Sequence, residues 1–246
     1  SQQAVFEYFG EVEAVSCQTF GAAFDAVVSG ECDSGMIPIE NSLAGSIHQN
    51  YDLLLRHNLF IVGEHLLRVR HCLIALPGVK KSDITRVISH PQALGQCAAY
   101  LRRMNVQAEP AGDTAGSVLQ VKISGERTTA AIASRRAAEI YAMEILEEGI
   151  EDDPQNYTRF LAIASKALNP TVISKTSIVF TLPNRSGTLY DAIGAFARRG
   201  IDLTKIESRP LVGKPWDYLF YLDFTGASHE PNVQEALAEL GNLTPM

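Results

Sequence analysis

A threonine hydroxyl and an arginine guanidinium stand next to each other at Thr158-Arg159, between Asn156-Tyr157 and the ring of Phe160. A polar cluster, Glu151-Asp152-Asp153-Pro154-Gln155, precedes them, and an apolar stretch with strand character follows. A hydroxyl there can donate a hydrogen bond to a departing oxygen. A guanidinium can grip a carboxylate through two parallel N–H bonds. The alternative for Arg159 is a salt bridge to Asp152 or Asp153, and the spacing alone leaves both readings open.

Four further polar groups sit where an apolar run meets a helical one: Asn41-Ser42, Ser89-His90-Pro91-Gln92, Gly112-Asp113-Thr114-Ala115 and Ile132-Ala133-Ser134. A helix start carries unpaired N–H groups and the positive end of the helix dipole. Ser, Thr and Asn at that place cap the helix or hold an anion, and Pro91 suits a first helical turn. Each is an ordinary cap when read singly. Asp113 suits a cap better than an anion contact, and His90 alone reads as structural. Four such starts around one cleft would make a neutral pocket that attracts a dicarboxylate. Later in the chain, Arg185-Ser186-Gly187-Thr188-Leu189-Tyr190 forms a glycine turn into a helix, and Glu207-Ser208-Arg209-Pro210 closes a strand. A carboxylate at the turn and an ammonium near the glutamate would suit an amino acid. A loop with a surface ion pair is the plainer alternative.

The elements that must hold these groups alternate. Strand patterns are expected at 12–17, 34–39, twice within 59–76, and at 86–89, 106–109, 129–133 and 158–164. Helical spacing is expected at 20–28, 47–56, 91–104, 114–124 and 134–146. This predicts an α/β domain of two lobes, joined by crossings within 59–76 and near 149–158. A composition break at 165–176 reads as a linker. Beyond it, strands at 177–182, 203–208 and 217–224 and helices at 187–199 and 233–240 form βαββα, one strand short of a split βαβ sandwich.

The chain has 246 residues, 46% of them hydrophobic, and a formal net charge of −7. The charge argues against nucleic acid or an anionic membrane as partner. The four cysteines have no CxxC spacing, which argues against zinc and redox motifs and suits a reducing compartment. No stretch reaches transmembrane length. A cytoplasmic protein is expected, or a plastid one if a transit peptide has been removed. The start at Ser1 in a helical pattern and the stop at Met246 suggest that both ends are clipped.

Taken together and in order, these segments resemble the prephenate dehydratases, including their arogenate-preferring relatives, with a C-terminal ACT domain. The resemblance rests on Pro38-Ile39-Glu40-Asn41-Ser42 with Gly45-Ser46, Tyr51-Asp52-Leu53-Leu54, Ser89-His90-Pro91-Gln92-Ala93 with Gln96-Cys97, Asp113-Thr114-Ala115, Ala131-Ile132-Ala133-Ser134, Asn156 with Thr158-Arg159-Phe160, Gly187-Thr188-Leu189-Tyr190 and Glu207-Ser208-Arg209-Pro210. It implies an α/β, bilobed, periplasmic-binding-protein-like (type 2) catalytic domain over 1–166. Lobe 1 would cover about 1–70 and 150–166, and lobe 2 about 71–149. An α+β ACT domain (βαββαβ, ferredoxin-like) would cover 175–246 without its last strand. The implied activity is that of a carbon–oxygen lyase without metal or cofactor, converting prephenate to phenylpyruvate or arogenate to phenylalanine.

By this resemblance Thr158, Ser89, Gln96 and Asn41 are catalytic, and Ser42, Arg159 and Phe160 bind substrate. Thr114 and Ser134 join them from the helix starts. Gly187, Thr188, Leu189, Tyr190, Glu207, Ser208, Arg209 and Pro210 would bind phenylalanine at a subunit interface of a homodimer or homotetramer. Two departures stand out: the family's first strand and its glycine-rich turn have no counterpart beyond Ser1, and Ser186-Gly187-Thr188-Leu189 replaces the usual proline-glycine-alanine-leucine. The run Tyr218–Phe224 resembles plant-type forms, which keeps arogenate open. A solute-binding protein on the same fold and a catalytically silent amino-acid sensor are the rival classes.

Overall fold

A computed structural model describes residues 1–168, 174–211 and 217–244. The chain divides into two compact units, Ser1–Ala167 and Leu168–Met246.

The first unit runs α1 (Gln2–Phe9), α2 (Phe20–Ser29), β1 (Ser34–Asn41), β2 (Gly45–Ser46), α3 (His48–Arg56), β3 (Phe60–Arg68), β4 (Cys72–Ala75), β5 (Arg86–Ser89), α4 (Pro91–Gln96), α5 (Ala98–Met104), β6 (Gln107–Pro110), α6 (Thr114–Ser124), β7 (Thr129–Ala133), α7 (Arg135–Tyr141), β8 (Glu144–Glu148) and β9 (Tyr157–Ala164). Two sheets result, ordered β2-β1-β9-β3 and β6-β5-β7-β4-β8. The first is antiparallel. In the second, β6, β5 and β7 run parallel, β4 runs against them, and β8, antiparallel to β4, runs with them again. The chain leaves the first sheet after Arg68, enters the second at Cys72, and returns between Glu148 and Tyr157.

Alternation along each strand assigns the cores. On β9, Phe160 and Ala162 face Ala4 of α1 and Met36, while Ile163 joins Phe24 of α2 and Ile37 on the other face. The second sheet is covered on both faces: Leu73, Val87 and Ile132 pack with Tyr100 and Leu101 of α5, and Ile74, Ile88 and Ala131 pack with Val118 and Val121 of α6. Its interior strands β4 and β7 are accordingly buried along their whole length rather than alternating.

Four local expectations differ from the structure. Asn41-Ser42 opens a turn into β2 and not a helix, because Asn41 Oδ1 accepts from the turn N–H groups of Leu43 and Ala44; α3 begins only at His48. The stretch 12–17 is irregular, for want of a neighbouring strand to complete its ladder. The helix expected at 91–104 breaks at Cys97, with φ −117°. There the Asp152 backbone N–H donates to Gln96 O at 2.7 Å, and its carboxylate accepts from the N–H groups of Ala99 and Tyr100. An inserted residue that takes over ladder groups divides a helix in this way. The helix expected at 134–146 stops at Ala142, which has φ 52°, and the chain turns into β8, which pairs with β4. The charges of Glu144, Glu147 and Glu148 mimic a polar helix face, although Ile145 and Leu146 sit in a strand.

The second unit contains β10 (Lys175–Thr181), α8 (Thr188–Ala197), β11 (Leu203–Pro210), β12 (Tyr218–Thr225) and α9 (Pro231–Leu243). Its antiparallel sheet is ordered β10-β12-β11. Phe196 of α8 and Val233 of α9 pack with Leu222 and Phe224 of β12.

All four cysteines are free; Cys72 and Cys97 are buried, and Cys17 and Cys32 are partly exposed. Burial pushes the Cys97 thiol up to about 12 and that of Cys72 to about 11. The native protein should therefore be alkylated by iodoacetamide first at Cys17 and Cys32, with Cys72 and Cys97 labelled only on unfolding. Peptide mass mapping against time reads this order.

Candidate functional site

Asn41 and Thr158 face each other in register at the last residue of β1 and the second of β9. That end of the sheet is the one from which the crossings depart, because Arg68 pairs with Tyr157 beside them. In the other sheet, Ser89 ends β5 and Ala133 ends β7, and Cys72, the first residue after the crossing, pairs with Ala133. Ser89, Ser134 and Asn41-Thr158 therefore all stand at the sheet ends that meet the crossings. The topology of the parallel strands puts the starts of α4, α6 and α7 at that same end.

The orientation of Asn41 is dictated locally. Its side-chain oxygen accepts from the backbone N–H groups of Leu43 (3.1 Å) and Ala44 (3.0 Å), which form the turn into β2. Its amide nitrogen must then point the other way. It donates to Asn156 Oδ1 at 2.7 Å and faces Thr158 Oγ1 and Tyr157 O at 3.1 Å each. Thr158 Oγ1 is thus an acceptor toward Asn41, and its own hydrogen has no acceptor among the described residues. Asn156 is fully buried, and its Nδ2 has no hydrogen-bond partner among the described residues. The amide cannot flip to relieve this without setting its NH₂ group against that of Asn41.

Ser42 is engaged on both sides by the returning segment: its hydroxyl donates to Gln155 O and accepts from Tyr157 N–H, both at 2.9 Å. Ser89 is fully buried and donates to Ile132 O at 2.7 Å, so its hydroxyl ties β5 to β7. Ser134 caps α7 by accepting from Ala137 N–H. Thr114 opens α6 and is partly buried, while Asp113 is the cap, accepting from Gly116 N–H. His90 caps α4 through Nδ1. Gln96 Oε1 meets His71 Nε2 at 2.8 Å. Cys97 beside it keeps its proton, because burial and then the nearby Asp152 and Glu151 carboxylates raise its thiol.

The salt bridge expected between Arg159 and Asp152 or Asp153 is corrected: Arg159 pairs with Glu64 of β3 at 2.9 Å. Neighbouring residues of a strand point to opposite faces, which sets Arg159 and Thr158 on different faces of β9. Phe160 packs in the core beside Ala4 and Met36. His71 went unnoticed in the sequence, although a histidine between two apolar strands at a lobe crossing was the available signal.

In the second unit, Gly187, Thr188, Leu189 and Tyr190 line a cleft of about 260 Å³ together with Pro183, Arg185, Tyr218 and Phe220. Gly187 has φ 89°, a left-handed conformation that favours glycine. Glu207–Pro210 lie one strand over: Ser208 pairs with Phe220 and Pro210 with Tyr218, so these two share the cleft face. Glu207 and Arg209 point to the other face, where Glu207 pairs with Lys205 at 3.1 Å.

Among the described residues no helix is long and apolar enough to cross a membrane. Residues 1–168 match the family model described as prephenate dehydratase, and residues 176–242 match the ACT domain model. The chain is similar to arogenate dehydratase/prephenate dehydratase 6, chloroplastic, of Arabidopsis thaliana, with 47% identity over 99% of this chain and 63% of the relative. It thus spans less than two thirds of that plant relative's length. Among solved structures it is similar to a prephenate dehydratase from Arthrobacter aurescens in complex with L-Phe, with TM-score 0.89, 32% identity, and coverage of 99% of this chain and 82% of that one. It is also similar to GqqA, described as a novel type of quorum quenching acylase, with TM-score 0.91, 33% identity, and coverage of 99% and 90%. The fold is α/β and periplasmic-binding-protein-like in the first unit and α+β ACT in the second. The chain belongs to the prephenate dehydratase family and carries an ACT domain after its dehydratase domain.

Proposed function

We propose that the chain is a carbon–oxygen lyase that turns prephenate into phenylpyruvate, with residues 1–166 as the catalytic domain and 175–246 as the regulatory one. The ring carboxylate leaves as carbon dioxide, its bonding electrons enter the ring, and the 4-hydroxyl departs and takes up a proton to become water. Aromatisation supplies the driving force, and expulsion of the hydroxyl sets the barrier. The observation that carries this reading is the fixed Asn41 amide behind Thr158 Oγ1. It makes the threonine an outward hydrogen-bond donor for the departing oxygen. Threonine is too weak an acid for complete proton transfer near neutrality, so its part is hydrogen-bond stabilisation in a water-poor site. Arg159 or the starts of α4, α6 and α7 hold the side-chain carboxylate. The ring carboxylate sits where the grip is weaker, because it must leave uncharged.

Arogenate is the second substrate to test, because the 47%-identical Arabidopsis relative carries both activities in its name. The acylase with the same fold shows that fold alone does not select the chemistry. The deciding assay incubates the protein with prephenate and follows phenylpyruvate, then with arogenate and follows phenylalanine. Turnover of neither would remove the reading.

Phenylalanine is the proposed effector, bound where Gly187–Tyr190 turn into α8 and completed by a second copy in a homodimer or homotetramer. Gly187→Ala would strain the left-handed turn and crowd the carboxylate site. It should weaken phenylalanine binding by about 10-fold or more, in line with a strain of about 1–2 kcal/mol, and leave uninhibited turnover unchanged. Calorimetric titration with phenylalanine checks the first and the activity assay the second. A compartment that keeps thiols reduced, cytoplasm or plastid, fits the free cysteines and the chloroplastic relative.

A further inference from the structure

The segment that leaves the first sheet carries a buried histidine that no step above uses. His71 is only 6% exposed, and the returning segment fixes its backbone completely. Its N–H donates to the Glu151 carboxylate at 2.9 Å, and its carbonyl accepts from Gly149 and Ile150 at 2.9 and 3.2 Å. Glu151 is itself held beside Arg68 at 3.7 Å, with its side chain 2% exposed. A ring anchored in this way has little freedom, and its Nε2 meets Gln96 Oε1 at 2.8 Å. The arrangement puts the imidazole hydrogen on Nε2 as the donor.

Gln96 ends α4, and its backbone carbonyl accepts from Asp152 N–H at 2.7 Å. Its side-chain NH₂ group has no partner among the described residues and is not one of their buried unsatisfied atoms. The contact with His71 therefore does for Gln96 what Asn41 does for Thr158. One end of the amide is occupied from behind, and a donor is presented forward with its orientation settled. Holding a donor in place before the reaction removes reorganisation from the barrier, and small misplacements are costly.

We propose that His71 is a positioning residue for the dehydration, acting only through Gln96: it fixes the glutamine amide so that its NH₂ group meets an oxygen of the bound anion. This rests on the lyase reading given above.

A double-mutant cycle with a spectroscopic arm tests it. His71→Phe keeps the ring volume and removes the donor. In the otherwise native protein, kcat should fall about 10-fold or more, with a smaller change in KM. In a Gln96→Leu background the same substitution should cost almost nothing further. His71→Gln, which can still donate, should recover part of the loss. Losses that multiply across the cycle would overturn the proposal. The second arm needs no turnover: the Gln96 side-chain NH₂ resonances, assigned by their absence in Gln96→Leu, should move toward random-coil positions in His71→Phe while the backbone spectrum is retained. Unmoved resonances would overturn the proposal even if neither prephenate nor arogenate is a substrate. Failure of the wild-type assay with shifted resonances would instead sink the lyase reading and leave the positioning of Gln96 standing.

Discussion

Replacing Thr158 with alanine lowers kcat on prephenate by about 10²-fold or more and changes KM little. The split follows from where the hydroxyl acts. In the ground state the ring hydroxyl is well solvated or bonded, and a donor adds little to binding. As the C–O bond breaks, charge collects on the departing oxygen, and a donor in a water-poor site gains strength with it. Thr158→Ser keeps the hydroxyl in reach of the Asn41 amide and should retain a measurable part of the rate. Thr158→Val keeps the shape and should behave as alanine does. Folding is a minor concern, because Thr158 is only partly buried and its one described side-chain partner is Asn41. Steady-state kinetics of the three variants, with thermal melting as a control, read the effect. Equal loss in Ser and Val, or a rise in KM at constant kcat, would make the residue a packing or ground-state contact.

Asn41→Asp should be almost as damaging to the rate, for a reason specific to this site. An aspartate still accepts from Leu43 and Ala44 N–H, so the turn into β2 survives. It no longer has hydrogens for Asn156 Oδ1 and Thr158 Oγ1. The threonine hydroxyl then turns to the new carboxylate and becomes a donor in the wrong direction. The site keeps its shape and loses its polarity, so kcat should fall about 10²-fold, the usual cost of one transition-state donor. Asn41→Leu adds a structural penalty, because it strands buried groups that each cost about 1–3 kcal/mol when left unmet. The test compares kcat and melting temperature of the two variants. An aspartate variant with native turnover would contradict the orienting role of Asn41.

Much of this was readable before any coordinates. The strand at 158–164, the glycine turn at Gly187 and the caps at Asp113 and Ser134 follow from local chemistry that acts over a few residues. The errors share a cause, which is distance along the chain. Asp152 splits the helix at Cys97 from 55 residues away (152 − 97), and no pattern near Cys97 announces it. Arg159 finds Glu64 because β3 is its neighbour in the sheet; the acidic residues close in sequence were the wrong guide. Strand alternation, which sequence alone supplies, sets Thr158 and Arg159 on opposite faces of β9. The stretch at 12–17 has strand composition without a strand to pair with. His71 is harder, since only the meeting of both crossings with α4 gives a buried imidazole something to orient.

The central claim is that the Thr158 hydroxyl, backed by Asn41, touches the oxygen that leaves. A crystal structure of the wild-type protein with a non-aromatising dicarboxylate analogue that retains the ring hydroxyl tests it most directly. The account predicts Thr158 Oγ1 within about 3 Å of that hydroxyl, with Asn41 Nδ2 still behind the threonine. An analogue bound with its hydroxyl against another group, out of reach of Thr158, would contradict it.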